Sequence, residues 1–137
     1  MVLSAMIEPM SGLPSDRLRV FAFKAFVRFA RRFRISDEEL RKVLLMPWDA
    51  DLGGGLYKYR IARPGEGARG GGRALVALKV GQRAVLMFGF EKKDMGNIKL
   101  NELKEYRDLA KIYLSFSEPE MTDLVKKQVL IELTQSR

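Results

Sequence analysis

The run Tyr57-Lys58-Tyr59-Arg60 alternates an aromatic ring with a cation at a period of two residues. A helix would scatter these four side chains around its axis. An extended strand instead sends the two rings to one side and the two charges to the other. Residues 56–62 are therefore read as a strand. Two further segments read the same way, Arg73 to Lys79 and Arg83 to Phe90, with Val80-Gly81-Gln82 as the turn between them. Tight connections make the three strands antiparallel neighbours. From Tyr57 to Lys93 the chain carries nine Lys or Arg against two acids, Glu66 and Glu91. A sheet so charged is poised to hold a polyanion. The apolar positions Leu56, Ile61, Leu75, Ala77, Val85 and Met87 are expected to turn toward helices, leaving a second face to carry the charge.

The helices announce themselves by spacing. Arg19 to Phe23 is a possible short strand, after which Phe26, Phe29, Ala30 and Phe33 recur on one helix face. That spacing makes the Phe row core rather than a base-stacking platform. Ser36 with Glu39 forms a capping box, so a second helix begins there, and Pro47 stops it. The two helices should form a hairpin. Leu103, Tyr106, Ala110, Tyr113 and Leu114 have helical spacing. Ser117 and Glu120 make a second capping box, and Met121, Leu124, Val125 and Gln128 continue the last helix. Gly53-Gly54-Gly55 reads as a break, 64–72 and 91–97 as mobile loops. Trp48 reads as a plug over the helix–sheet junction; Asp49 and Asp51 carry no assignment.

The 137 residues fit one domain, taken as 18–137 behind a flexible N-terminal extension at 1–17. The extension lacks the early cations of a signal peptide, and no apolar run approaches the length of a membrane helix. Zero Cys removes disulfides and thiol catalysis and suits a reducing cytosol; with no His as well, no metal site is expected. The net charge of +8 is uneven: residues 17–34 hold seven cations and no acid, and 94–137 are close to neutral. This implies a localised basic face. Residues 65–70 match GxGxxG, but a strand follows where a dinucleotide site needs a helix, so a flexible hairpin loop is read there.

The segments Asp51 to Leu56, Tyr57 to Gly65, Gly71 to Arg73 and Phe88 to Lys93, with Asn97-Ile98, together resemble the RelE/HigB-type toxins of bacterial type II toxin–antitoxin pairs, nearest the phage-associated branch of the RelE/ParE superfamily. The likeness covers roughly residues 18–115. It implies an α+β fold, a small antiparallel sheet packed on an N-terminal helical hairpin, with C-terminal helices. It implies a cytoplasmic, ribosome-dependent mRNA endonuclease without a cofactor. The partners implied are the ribosome and its mRNA, and a cognate antitoxin that can be of helix-turn-helix type. By position Lys58 and Arg60 match the family's basic pair, Arg73 its arginine on the next strand, and Lys92 or Lys93 its cation after the last strand. The chain departs from the pattern where a Tyr or His is often found; Asn97 and Ile98 stand there, which leaves the proton-transfer group open.

RNA can be cut without a metal when its own 2′-hydroxyl attacks the adjacent phosphorus. Arg73 and Arg60 suit charge stabilisation, because guanidinium grips phosphate oxygens in pairs. Lys58 is a base or phosphate clamp, and Lys92 or Lys93 a general acid. Arg28, Arg31, Arg32, Arg63 and Arg83 are the candidates for gripping RNA away from the scissile bond, with Arg34 beside them; a merely solvated helix face explains the first three equally well. Two other functions stay open. A ParE-like relative would inhibit DNA gyrase, and a degenerate member would bind nucleic acid without cutting it.

Overall fold

The computed structural model describes residues 18–62 and 71–133. The extension expected at 1–17, and the loop and GxGxxG match at 65–70, lie outside them. The chain runs β1 (Arg19–Phe23), α1 (Lys24–Arg32), α2 (Asp37–Leu45), β2 (Ala50–Gly53), β3 (Leu56–Ile61), β4 (Gly72–Lys79), β5 (Arg83–Glu91), α3 (Lys92–Met95), α4 (Leu100–Ser115), α5 (Glu118–Lys126) and β6 (Leu130–Leu133). The strands form one sheet in the order β2-β3-β4-β5-β1-β6. All neighbours are antiparallel except β1 and β5, which run parallel. The expected α+β architecture and helical hairpin are present, as are both capping boxes. Ser36 Oγ accepts from the Glu39 amide at 3.1 Å, and Ser117 Oγ from the Glu120 amide at 3.2 Å.

The sheet is the middle of three layers. The α1–α2 hairpin packs on one face against Val20, Tyr59, Ile61, Ala74, Val76 and Leu86. On the other, α4 and α5 pack against Phe21, Leu56, Leu75, Ala77, Val85 and Met87. Burial on both faces explains why β4 reads as an apolar run instead of alternating. It also corrects the expectation of a free second face. Ile61 turns to the hairpin, but Leu56 and Leu75 share a face with Lys58 and Arg60, so the charges occupy one end of a face whose other end is core.

Three elements differ from the sequence reading. The last helix stops at Lys126; Gln128 takes φ 63°, and Leu130–Leu133 turns back to pair with β1. The run at 130–133 is too short for periodicity to separate strand from helix. The triple glycine is a tight β2–β3 turn, with φ of 91°, 65° and 85° at Gly53, Gly54 and Gly55. Helix α4 lies over it, and Arg107 Nε donates to the Leu52 carbonyl at 2.7 Å. Three successive left-handed residues favour glycine throughout, and at Gly55 an added methyl group would also run into Leu114 of α4. Finally, Lys92–Met95 is a short helix where a loop was expected.

A bulge in β5 sets the remaining geometry. Leu75 faces Phe88 while Val76 faces Leu86, so Met87 is the extra residue. Beyond it the alternation changes phase. Phe88 and Phe90 point to the α4 side, and Gly89 comes under the Phe29 ring of α1, where a methyl group would overlap the ring carbons. Gly89→Ala is accordingly expected to destabilise the chain by about 1–3 kcal/mol through overpacking, measured by urea unfolding. The cost should shrink in a Phe29→Ala background; an equal cost in both would place the strain elsewhere.

Candidate nucleic-acid interface

Strand pairing builds the site. Arg60 lies directly across from Arg73, and Lys58 from Leu75. Period two then puts Lys58, Arg60 and Arg73 on the α4 face, at the end of the sheet near Gly72. The α2–β2 connection brings in a fourth group. The Asp49 amide donates to the Lys58 carbonyl at 2.7 Å, which fixes Asp49 beside β3. Its carboxylate then meets all three cations: Oδ2 is 3.4 Å from Lys58 Nζ and 3.6 Å from Arg73 Nε, and Oδ1 is 3.7 Å from an Arg60 terminal nitrogen. These separations exceed the roughly 2.7–2.9 Å of a tight charge-assisted hydrogen bond. The carboxylate is shared among the three rather than bonded to one.

Exposure grades across the cluster. The Arg73 side chain is 8% exposed, Lys58 26% and Arg60 48%. Arg73 is the floor, anchored by a 3.0 Å hydrogen bond to the Gly72 carbonyl, and Arg60 is the rim. Among the described residues, three cations share this one carboxylate, which leaves positive charge in a partly enclosed place, suited to a phosphate. Phe90, opposite Arg73, packs on Tyr106 of α4 with ring centroids 6.3 Å apart. Burial, then Glu102 and Glu105, push the Tyr106 phenol above its ordinary value. Tyr59 is buried on the hairpin face, and burial pushes its phenol up to about 12. Trp48 packs on Tyr57 with ring centroids 4.4 Å apart and planes tilted by 43°, and stays 42% exposed; Tyr57 in turn packs against the core between hairpin and sheet.

The other cations divide. Lys92 and Lys93 are exposed at the start of α3, immediately after Glu91, which pairs with Gly72. They share the sheet end with Arg73. Arg28, Arg31 and Arg32 are exposed on α1, in the layer on the opposite side of the sheet from the cluster. Arg34 is exposed beyond the helix end, and Arg63 lies outside the described residues.

Arg83 is corrected: it does not sit with the RNA-gripping candidates. It is six strand residues from the cluster's end of β4, roughly 20 Å by strand rise, and only 2% exposed. Its guanidinium donates to the Tyr113 carbonyl at 2.8 Å and to Glu118 at 2.7 Å. Arg19 reaches Glu118 at 2.9 Å and holds Glu132 with two bonds of 2.9 and 2.8 Å. The Arg83 hydrogen bond foremost, then that of Arg19, hold the Glu118 carboxyl below the usual carboxylate range. This network ties β1 and β5 to α5 and β6.

The family model for the RelE toxin of the RelE/RelB toxin–antitoxin system matches residues 18–133. The chain belongs to the RelE toxin family. The match runs from the residue before β1 to the last residue of β6, so every element of this RelE-type toxin lies inside it. No curated protein matches the chain. A RelE toxin is one half of a pair, and its counterpart is a cognate antitoxin.

Sequence reasoning grouped Lys58, Arg60 and Arg73 but left Asp49 unassigned. The signal available was an acid one residue after an exposed aromatic and just before a strand, and that pattern carries no information about a partner. Two variants separate the site from the scaffold. Arg60→Ala should leave heparin at lower salt, with its unfolding midpoint in urea unchanged. Arg83→Ala should lose about 1.5–3 kcal/mol of stability with its elution unchanged while folded. The reverse pattern would contradict this division of roles.

Proposed function

We propose that this RelE-type toxin is a ribosome-dependent mRNA endonuclease acting in the cytoplasm, cutting without a metal through the 2′-hydroxyl of the message. The observation that carries the reading is the convergence of Lys58, Arg60 and Arg73 on a single anion. A transferring phosphate gathers negative charge on its oxygens as the 2′-oxygen attacks, and preorganised cations favour that state over the ground state. Arg73, buried and anchored, has the fixed orientation such stabilisation requires. Arg60, at the rim, meets the phosphate from the solvent side, and Lys58, on the third side, takes the proton of the attacking 2′-hydroxyl as base or clamps the phosphate while solvent takes it. Lys92 or Lys93 gives a proton to the departing 5′-oxygen. Arg28, Arg31 and Arg32 grip ribosomal RNA from the other layer of the molecule. The cognate antitoxin silences the toxin by covering the cluster.

Removing one charge-stabilising donor from such a site costs on the order of 10²–10³ in rate. The test is expression in bacteria with mapping of message ends. The wild-type chain should arrest growth and cut messages in the ribosomal A site. Arg73→Ala, matched for abundance, should abolish both. Growth arrest with intact messages and a DNA-damage response would transfer the function to gyrase. RNA binding without cutting on ribosomes would leave a binding module.

A further inference from the structure

The carboxylate of Asp49 is an unusual neighbour for a phosphate site. A side chain whose only contribution were repulsion of the substrate would be an expense without a return, yet its position is well defined. Its backbone is pinned by the 2.7 Å bond to the Lys58 carbonyl, and its two oxygens are divided among the three cations. A carboxylate presents two oxygens bearing one negative charge, much as a phosphodiester does. All three contacts, at 3.4–3.7 Å, are longer than tight bonds, so the occupant is held by the field of the cluster and not by any one strong hydrogen bond. The side chain is 28% exposed, which gives it an open path for swinging aside by rotation about its own χ angles while the pinned backbone stays.

We propose that Asp49 is a specificity-determining residue: its carboxylate stands in for a phosphate between Lys58, Arg60 and Arg73, and an RNA phosphate must displace it. This rests on the reading of the cluster as a phosphate site. The consequence is discrimination. A stray RNA strand, offering one phosphate and few other contacts, gains little over the carboxylate already there. A strand held in place by further contacts elsewhere can afford the exchange. The same carboxylate keeps Arg60 and Arg73, directly opposed across the strand pair, from repelling each other apart when no RNA is bound.

Asp49→Asn tests this, because it keeps the shape while removing the charge and turning one of the two acceptor oxygens into a donor. The probe is a short single-stranded RNA with 2′-O-methyl groups, which blocks cleavage, followed by fluorescence anisotropy at low salt. The variant should bind the oligonucleotide tighter by roughly tenfold, the scale of a nearby, partly screened charge. Arg73→Ala alone should weaken binding, and the gain from Asp49→Asn should be smaller in that background, where one of the three cations that the carboxylate touches is missing. Urea unfolding controls for folding, and Asp49→Ser repeats the measurement should the Asn variant fold poorly. Equal or weaker binding by both neutral variants, with binding still weakened by Arg73→Ala, would overturn the role of Asp49 and keep the phosphate site. No binding by any variant would overturn both.

Discussion

Arg60 and Arg73 face each other across adjacent antiparallel strands. Like charges directly opposed on a sheet are unfavourable, and Arg73 is also nearly buried, which removes much of the water that would screen it. The pairing persists because Asp49 places a carboxylate against both guanidiniums and against Lys58. The rest of the architecture serves that arrangement. The triple-glycine turn returns β2 alongside β3, so that the residue before β2 reaches the cluster. The β5 bulge turns Phe90 to the same face as Arg73, and α4 closes over the sheet up to that point. A concentration of positive charge that costs stability in an unliganded protein is what a site built for an anion looks like.

Charge count alone does not separate the cations of the cluster from those that fasten the scaffold. Arg83 and Arg73 are both strand arginines, and both are buried. One is held through both terminal nitrogens by Glu118 and a main-chain carbonyl in a network that fastens the C-terminal elements to the sheet. The other looks out past a loosely held carboxylate. What differs is the position along the strands: Arg83 lies where Glu118 of α5 reaches it, and Arg73 lies at the other end of β4, beside Asp49. The cations of α1 form a further exposed group on the opposite layer, so the basic character of the chain is spread over two sides.

Much of the fold was legible because it rests on short-range rules. Ser36 and Ser117 each cap a helix through a glutamate three residues on, and the Phe spacing of α1 has a single helical solution. The alternation at Tyr57–Arg60 fixed which side chains share a face. What escaped depends on pairings distant in sequence. Asp49 meets Arg73 only after β2, β3 and β4 have registered, and Glu118 meets Arg19 across 99 residues. The β6 strand is four residues long, with leucines at both ends serving opposite cores, a pattern that no local period identifies. The bulge at Met87 has no marker beyond Gly89, whose missing side chain makes sense only once Phe29 is above it.

The proposed function requires Lys58, Arg60 and Arg73 to act as one anion site. The most direct measurement is NMR of arginine Nε–H and lysine ammonium signals during titration with a non-cleavable RNA dinucleotide. Signals from the three residues should move together with one midpoint, and that of Arg83 should stay still. Separate midpoints, or a response confined to the exposed Arg60, would contradict a shared site.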